Sequence, residues 1–248
     1  MPTILITGCS SGFGLATAHH FAARGWRVVA TMRTPDESIL PSSVNLRTVA
    51  LDVTDPTSIA RAVVAAGPID ALVNNAGIGL LSTVEGTSVA VARELFETNT
   101  LGTIAMTQAV LPQMRERGAG TIVNVTSSVT LMPLPLLALY TASKAAVNAL
   151  SDSMAIELEP FGIRVRTVLP GRAPDTAFAA NAGPRMAGAI PEAYGPLAER
   201  VFAAWQEETG ALTSAEDVAQ AIWRSVTEPD SPARLAAGAD AVALMQAV

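Results

Sequence analysis

At 248 residues, 50% of them hydrophobic and 15% charged, the chain has the composition of a well-filled globule with no disordered tail to accommodate. Its net charge of -6 argues against a surface built for nucleic acid or anionic membrane, since neither would attract it. A single cysteine, Cys9, excludes an internal disulfide and a cysteine-based zinc cage, which fits a reducing compartment.

Met1-Pro2 leads straight into a β-like run at Thr3-Ile4-Leu5-Ile6, so no signal peptide is expected. The most apolar stretch, Leu131 to Leu139, is short and holds two prolines, so no membrane span is expected either. The expected location is the cytoplasm. In chain order, strands are predicted at 3-7, 27-31, 46-51, 69-73, 120-126 and 163-168, with a weak last one near 234-236. Helices are predicted at 13-24, 56-66, 88-114, 139-159 and 214-228. Strands that are apolar on both faces and separated by helices predict a parallel sheet covered on each side. The expected fold is α/β: one doubly wound, Rossmann-like domain over 1-248 with a seven-stranded sheet. Asp55-Pro56 marks one helix start, and Thr213 followed by Glu216 has the spacing of a capping box at another. Between about 172 and 206 the alternation stops. Gly, Pro and scattered aromatics (Phe178, Tyr194, Phe202, Trp205) predict an irregular, partly helical substrate-binding flap there.

The first strand runs into Thr7-Gly8-Cys9-Ser10-Ser11-Gly12-Phe13-Gly14 and then a helix. A glycine-rich turn in that place lets backbone N–H groups approach a pyrophosphate, which the positive helix terminus favours, so Gly8, Ser10, Ser11, Gly12, Phe13 and Gly14 are candidate cofactor contacts. Three glycines in a tight turn are also ordinary turn chemistry, and the spacing is G-x-x-x-G-x-G rather than the commoner G-x-G-x-x-G. Cys9 lies within the turn, so thiol modification is expected to interfere with cofactor. After the second strand, Met32 stands where NAD-preferring folds show an acidic residue, and Arg33 follows. The missing carboxylate and the guanidinium favour NADP(H) over NAD(H). Asp52-Val53 after the third strand borders the expected adenine position. Asn74-Asn75-Ala76-Gly77 follows the fourth, at the edge where open α/β sheets bind ligands.

Lys144 is the sole lysine among 16 basic residues, and Tyr140 is one of two tyrosines. On a helix, positions four apart share a face, so phenol and ammonium are neighbours, and the cation is expected to lower the phenol pKa. Thr126-Ser127-Ser128 closes the fifth strand, so a hydroxyl converges on the same crevice. With TGCSSGFG at 7-14, DV at 52-53, NNAG at 74-77, Asn99 with Gly102, Ser127, YTASK at 140-144 and Pro170-Gly171, the chain resembles the short-chain dehydrogenase/reductase family. The match runs from Thr3 to about Gly171.

The resemblance implies roles for individual residues. Tyr140 would be the general acid/base, with Ser127 donating to the substrate oxygen. Lys144 would bind the nicotinamide ribose and depress the phenol, and Asn99 would help hold a relaying water. Gly8, Ser10, Ser11, Gly12, Phe13, Gly14, Arg33, Asp52, Val53, Asn75, Ala76, Gly77, Tyr140, Lys144, Pro170, Gly171, Ala173 and Thr176 would hold the dinucleotide. The family usually places a β-branched residue after Pro-Gly and a threonine five residues after the proline. Here Arg172 and Asp175 take those places, and Thr176 comes one residue late.

The activity implied is NADP(H)-dependent interconversion of a carbonyl and a secondary alcohol on a largely apolar small molecule. Leu131 to Leu139 and the flap would form its pocket. Two rivals are a cofactor-sensing binding protein, which would have damage at the tyrosine or lysine, and a non-redox lyase such as a halohydrin dehalogenase, which would lack the glycine turn and the lysine. A homodimer or homotetramer through the helices at 88-114 and 139-159 is expected. His19 and His20 read as ordinary helix residues with no metal-ligand spacing. The sequon Asn124-Val125-Thr126 lies in a predicted buried strand and reads as spurious.

Overall fold

The strand-forming runs join into one sheet in a computed structural model, which describes residues 1–174, 176, 190–207, 210 and 212–248, the side chain of 206 aside. The strands are β1 (Thr3–Ile6), β2 (Arg27–Met32), β3 (Leu46–Ala50), β4 (Ala71–Asn74), β5 (Gly120–Val125), β6 (Ile163–Pro170) and β7 (Arg234–Ala237). They lie in the order β3-β2-β1-β4-β5-β6-β7, every neighbouring pair parallel. The chain moves outward from β1 to β3 and then returns to lay β4 on the other side of β1. Connections leaving β1 and β4 therefore part at the carboxyl edge, and a crevice opens between them.

Successive strand residues point to opposite faces, and both faces are buried. Ile4, Ile6, Val28, Ala30, Val73 and Val123 pack under α1 (Gly12–Ala23) and a later helix, α7 (Ala215–Thr227). Leu5, Val29, Leu72, Ile122 and Val165 pack under α2 (Pro56–Ala66), α4 (Gly102–Arg117) and α5 (Ala138–Leu158). Phe21 is wholly buried on the first face, edge-on to Trp26 at 5.2 Å and tilted against Trp223 at 5.0 Å. Burying a side chain of that size contributes roughly 1.5–3 kcal/mol. Asp55 caps α2 by accepting from Thr57 N, with Pro56 in the first turn. Asn124 is fully buried in a side-chain network with Asn74 and Ser151, which leaves its sequon no surface.

Three expectations change. The helix predicted over 88-114 is α3 (Val89–Phe96), a π-helical turn at Glu97–Leu101, and then α4, which runs past 114 to Arg117. It ends there because Gly118, at φ 67, takes the left-handed cap conformation. The capping box stands one residue later than predicted: Ser214 and Asp217 satisfy each other's backbone N–H, while Thr213 and Glu216 are engaged elsewhere, Thr213 with Asp240 and Glu216 with His20 at 2.8 Å. A short helix, α8 (Ala239–Ala247), follows β7 without a capping side chain to announce it. Of the flap, Phe178 and the rest of 177–189 fall outside the described residues, as does Asp175. What is described is a 3₁₀ turn at Glu192–Tyr194 and α6 (Gly195–Glu207). No described helix is long and apolar enough to cross a membrane.

Candidate active site

The glycine turn is held by side chains that the sequence motif does not single out. The Thr7 hydroxyl accepts from the backbone N–H groups of Asn75 and Ala76, both at 2.9 Å, and so stitches the end of β1 to the end of β4. The Asn75 amide donates back to the carbonyls of Thr7 (2.9 Å) and Gly8 (3.1 Å). Asn75 therefore builds the turn with its side chain. A Cβ on Gly8 would meet Ala76 Cα at 2.8 Å, and one on Gly14 would meet the Gly8 carbonyl oxygen at 2.3 Å. Gly8 and Gly12 also stand at φ 73 and 54, where other residues are strained. Phe13 turns inward onto the core. Ser10 is exposed, and Ser11, the N-cap residue of α1, makes no side-chain capping bond. With no acidic residue in the first turn of α1, its positive end is not neutralised from within. A bare backbone cradle under a helix N-terminus fits the pyrophosphate of a dinucleotide.

Cys9 is not the accessible thiol that its place in the motif suggested. It is fully buried, its Sγ lies 3.3 Å from the Ile6 carbonyl, and burial pushes its pKa up to about 12. Modification of the folded protein there is disfavoured twice, by access and by charge state.

On the adenine side, Arg33 is exposed at the end of β2. It exerts a weak pull on Asp52, whose carboxyl is held below its usual range chiefly by hydrogen bonds from Thr54 N (2.9 Å) and Oγ1 (2.7 Å). Val53 is a packing contact for the start of α4: a Cβ on Gly102 would come within 2.8 Å of Val53 Cγ2.

Ser127, Tyr140, Lys144 and Asn99 lie close together at the carboxyl edge of the sheet. Each is under 10% exposed, and desolvation governs the charge states of the two that titrate, Tyr140 and Lys144. Ser127, two residues past β5, caps the 3₁₀ turn Ser128–Thr130 and is hydrogen-bonded to the Tyr140 phenol. Lys144 sits one turn along α5 and donates from Nζ to the Val125 carbonyl at 3.0 Å. The ammonium does not lower the phenol as expected from sequence. Burial raises Tyr140 well above its ordinary value against the smaller pull of Ser127, and it lowers Lys144 to about 8. The physical reason is that the same desolvation withholds charge from both groups, so a neutral phenol stands near an easily discharged lysine.

Asn99 lies in the π-helical turn, a wide coil that often marks functional sites. Its amide accepts from Ile78 N (2.8 Å) and donates to the Ile78 carbonyl (3.0 Å) and to Ser143 Oγ (3.1 Å). Ser143, buried within the YTASK segment, donates in turn to the Tyr140 carbonyl at 2.7 Å, and Thr100 Oγ1 donates to the Ser143 carbonyl at 3.0 Å. The π turn is thereby bolted to α5 beside Tyr140 and Lys144. Gly77 is small for a reason: a Cβ there would lie 3.1 Å from Asn99 Oδ1 and 3.3 Å from Lys144 Nζ.

Past β6, Pro170 ends the strand and the loop turns back toward α1. Thr176 donates to the Ala173 carbonyl at 2.8 Å, and its methyl-bearing face approaches Gly12, where a Cβ would lie 3.5 Å from Thr176 Cβ. The late threonine thus reaches the glycine turn. On the substrate side, Tyr140 packs with Leu80 and Leu95, flanked by Leu137 and Leu139. Leu136, at the unusual φ of 65 for a leucine, packs on Ala198 and Val201 of α6. Thr7, Thr100 and Ser143 were missed as site-building residues by sequence reasoning. Their positions inside or beside the motifs were the available signal, but the ties of Thr7 to Asn75 and Ala76, of Thr100 to Ser143 and of Ser143 to Asn99 cross long stretches of chain.

A hollow of about 280 Å³ lies at the other, amino edge of the sheet between Trp26, Asp70, Gly120 and Arg164. Arg164 there is committed to the carbonyls of Val226 and Glu228 and to Thr121 Oγ1. It contains none of the converging groups.

Residues 2–187 match the family model described as short chain dehydrogenase. An uncharacterized oxidoreductase, YusZ, of Bacillus subtilis is 42% identical over 178 residues, covering 67% of this chain and 63% of that protein. A 3-ketodihydrosphingosine reductase of Bacteroides thetaiotaomicron is 39% identical over 172 residues, covering 68% and 62%. These matches span less than two thirds of those relatives' own length. A short-chain dehydrogenase structure from Streptomyces avermitilis superposes with a TM-score of 0.84 at 36% identity, covering 99% of this chain and 91% of that one. Family model, relatives and superposition agree: the chain belongs to the short-chain dehydrogenase family.

Proposed function

We propose that this protein is an NADP(H)-dependent oxidoreductase that interconverts a carbonyl and a secondary alcohol on a largely apolar small molecule. The observation that carries the reading is the burial of Ser127, Tyr140 and Lys144 together at the carboxyl edge, beside a glycine cradle open to a pyrophosphate. Bound there, a nicotinamide cofactor supplies or takes the hydride. Gly8, Gly12 and Gly14 with the first turn of α1 would hold its phosphates, Ser10 and Ser11 would add hydroxyls, and Thr176 with Pro170, Gly171 and Ala173 would close the far side. Arg33 would pair with the 2'-phosphate, and Asp52 and Val53 would border the base.

The remaining work falls to this chain's side chains. Ser127 donates to the substrate oxygen and stabilises the charge that develops on it. Tyr140 gives that oxygen its proton, or takes it in the reverse direction. Burial keeps the phenol protonated at rest, which is the state needed when a carbonyl is reduced. Lys144, discharged readily at a pKa of about 8, resupplies the proton, and Asn99 fixes the π turn that flanks it. The leucines around Tyr140 and the Leu136–α6 contact support an apolar substrate. The likeness to a 3-ketodihydrosphingosine reductase of Bacteroides thetaiotaomicron points the same way. Assembly of two or four copies through α4 and α5 belongs to the same reading.

Titration with NADPH and NADH, followed by the loss of reduced-nicotinamide absorbance against a panel of apolar ketones and aldehydes, tests the reading. Saturable NADPH binding and turnover of at least one carbonyl are expected, and failure to bind either nucleotide overturns it. Arg33→Asp should weaken NADPH by about tenfold or more and spare NADH, as expected where a guanidinium–phosphate pair gives way to like charges. Equal effects on the two nucleotides would clear Arg33 of reading the phosphate.

A further inference from the structure

Arg172 departs from the family pattern, and it is held in a way that explains the departure. On the core side its backbone is pinned. Its N–H donates to Asp240 Oδ2 at 2.6 Å, its carbonyl accepts from Thr213 N at 2.9 Å, and the adjoining Gly171 N–H donates to Thr213 Oγ1 at 3.0 Å. The Thr213 hydroxyl lies 2.6 Å from Asp240 Oδ1 and 2.9 Å from the Ala237 carbonyl. Nothing larger than glycine fits around this knot. A Cβ on Gly171 would stand 2.2 Å from Asp240 Oδ2, and one on Gly238 would stand 1.9 Å from Thr213 Oγ1.

From that base the half-buried side chain reaches across to α6, where Nη1 donates to the Trp205 carbonyl at 2.9 Å. Trp205 stands in the last turn of α6, where carbonyls have no partner within the helix and a cation is favoured. Farther back, Ala198 and Val201 of α6 bear on Leu136, two residues before the start of the helix that carries Tyr140.

The geometry points to Arg172 as a positioning residue, a clasp that joins the end of α6 to the loop after Pro170-Gly171 and so holds the apolar wall against the segment leading into Tyr140. The short β-branched residue that the resemblance leads one to expect at 172 lacks the long side chain by which Arg172 carries a donor to the Trp205 carbonyl. The clasp ties the loop expected to meet the cofactor to the wall expected to meet the substrate. Its consequence for substrate rests on the carbonyl-reductase reading, while its consequence for α6 does not.

The test compares Arg172→Val and Arg172→Lys with the unaltered protein by amide hydrogen exchange and by steady-state kinetics. In Arg172→Val, amides of α6 should exchange about tenfold faster while those of β6 and α7 stay within about twofold, the pattern of local rather than global opening. The KM for a carbonyl that the unaltered protein reduces should rise about tenfold, with kcat within about threefold, as for loss of an interaction made equally in ground and transition states. Arg172→Lys, which keeps a cationic donor, should recover most of both changes. Unchanged exchange in α6, faster exchange spread through β6 and α7, or an unchanged KM would each overturn the proposal. If the unaltered protein reduces no carbonyl, the functional reading fails instead, and the exchange pattern still decides whether the clasp exists.

Discussion

The two sides of the crevice are made of different material. The side formed by β1 and β4 presents backbone: Gly8, Gly12 and Gly14 clear the space, and the Thr7 and Asn75 side chains are spent on holding that backbone in place. The side formed by β5, β6 and their helices presents side chains, namely Ser127, Tyr140 and Lys144 backed by Leu136 and α6. A backbone surface has no group to titrate and tolerates no added atom. A side-chain surface titrates, and it can be re-cut one residue at a time.

The largest expected effect separates chemistry from binding across that divide. Tyr140→Phe removes the phenolic O–H proposed as proton donor and leaves the glycine cradle intact, so kcat should fall by about a thousandfold. NADPH affinity, measured by fluorescence titration, should stay within about twofold of the unaltered protein. Parallel loss of both would mean that Tyr140 holds the fold of the crevice rather than the proton. The converse substitution is Gly14→Ala. Its Cβ would stand 2.3 Å from a backbone oxygen that Asn75 keeps in place, so the turn must deform. NADPH affinity should drop by about a hundredfold, roughly 2.7 kcal/mol. Unaltered affinity would show that the turn is not the phosphate site.

A pH experiment sharpens the contrast further, because Lys144 and Tyr140 titrate on the side-chain half, whereas the glycine turn's one titrating group, Cys9, is buried behind it. Burial sets Lys144 at about 8 against an ordinary 10.5. Between those values the unfolded chain holds a proton that the folded protein has released, so this group makes stability rise with pH across that window. Cys9, moved from 9.0 to about 12, and Tyr140, raised from 10.0, act oppositely: the folded protein keeps protons that the unfolded chain loses, and stability falls above those ordinary values. The difference in urea midpoint between the unaltered protein and Lys144→Met isolates the lysine. It should move in favour of the unaltered protein from pH 8 to 10.5 and be flat below 8. A difference independent of pH would show that Lys144 is not desolvated.

How legible each half was in the sequence follows from the same contrast. Where backbone must approach a ligand, glycine is the residue that fits, and so Gly8, Gly12 and Gly14 stand out in a linear reading. Tyr140 and Lys144 were legible because four residues is one helical turn and because an arginine-rich chain spends its sole lysine there. The strands were legible to within a few residues, since a sheet buried on both faces requires continuous apolar runs. The rest depends on partners far apart in the chain. The π turn that carries Asn99 reads as plain helix until Ile78 and Ser143 are brought to it. Thr213 looked like a helix cap because its tie to Asp240 and Gly171 crosses 27 and 42 positions. The phenol's pKa stands above its ordinary value rather than below it as expected, because spacing reports the neighbouring ammonium but not the burial that outweighs it.

The smallest expected effect is at the outer rim of the side-chain half. Tyr194 Oη donates to Glu85 Oε2 at 2.9 Å, across the gap between the turn before α6 and the loop after β4. It is the second of two tyrosines, and it spans the rim much as Arg172 spans the far end of α6. The two ties differ in setting. The Arg172 guanidinium is half-buried and acts on a helix-terminal carbonyl, whereas the Tyr194–Glu85 pair lies in solvent, where water offers both groups equivalent partners. Tyr194→Phe should therefore change carbonyl KM by less than about twofold, leave the urea midpoint where it was, and leave α6 amide exchange slow. A KM change as large as that expected for Arg172→Val would mean that α6 is held from its exposed rim, and that the wall hangs from both ends rather than from the loop after β6.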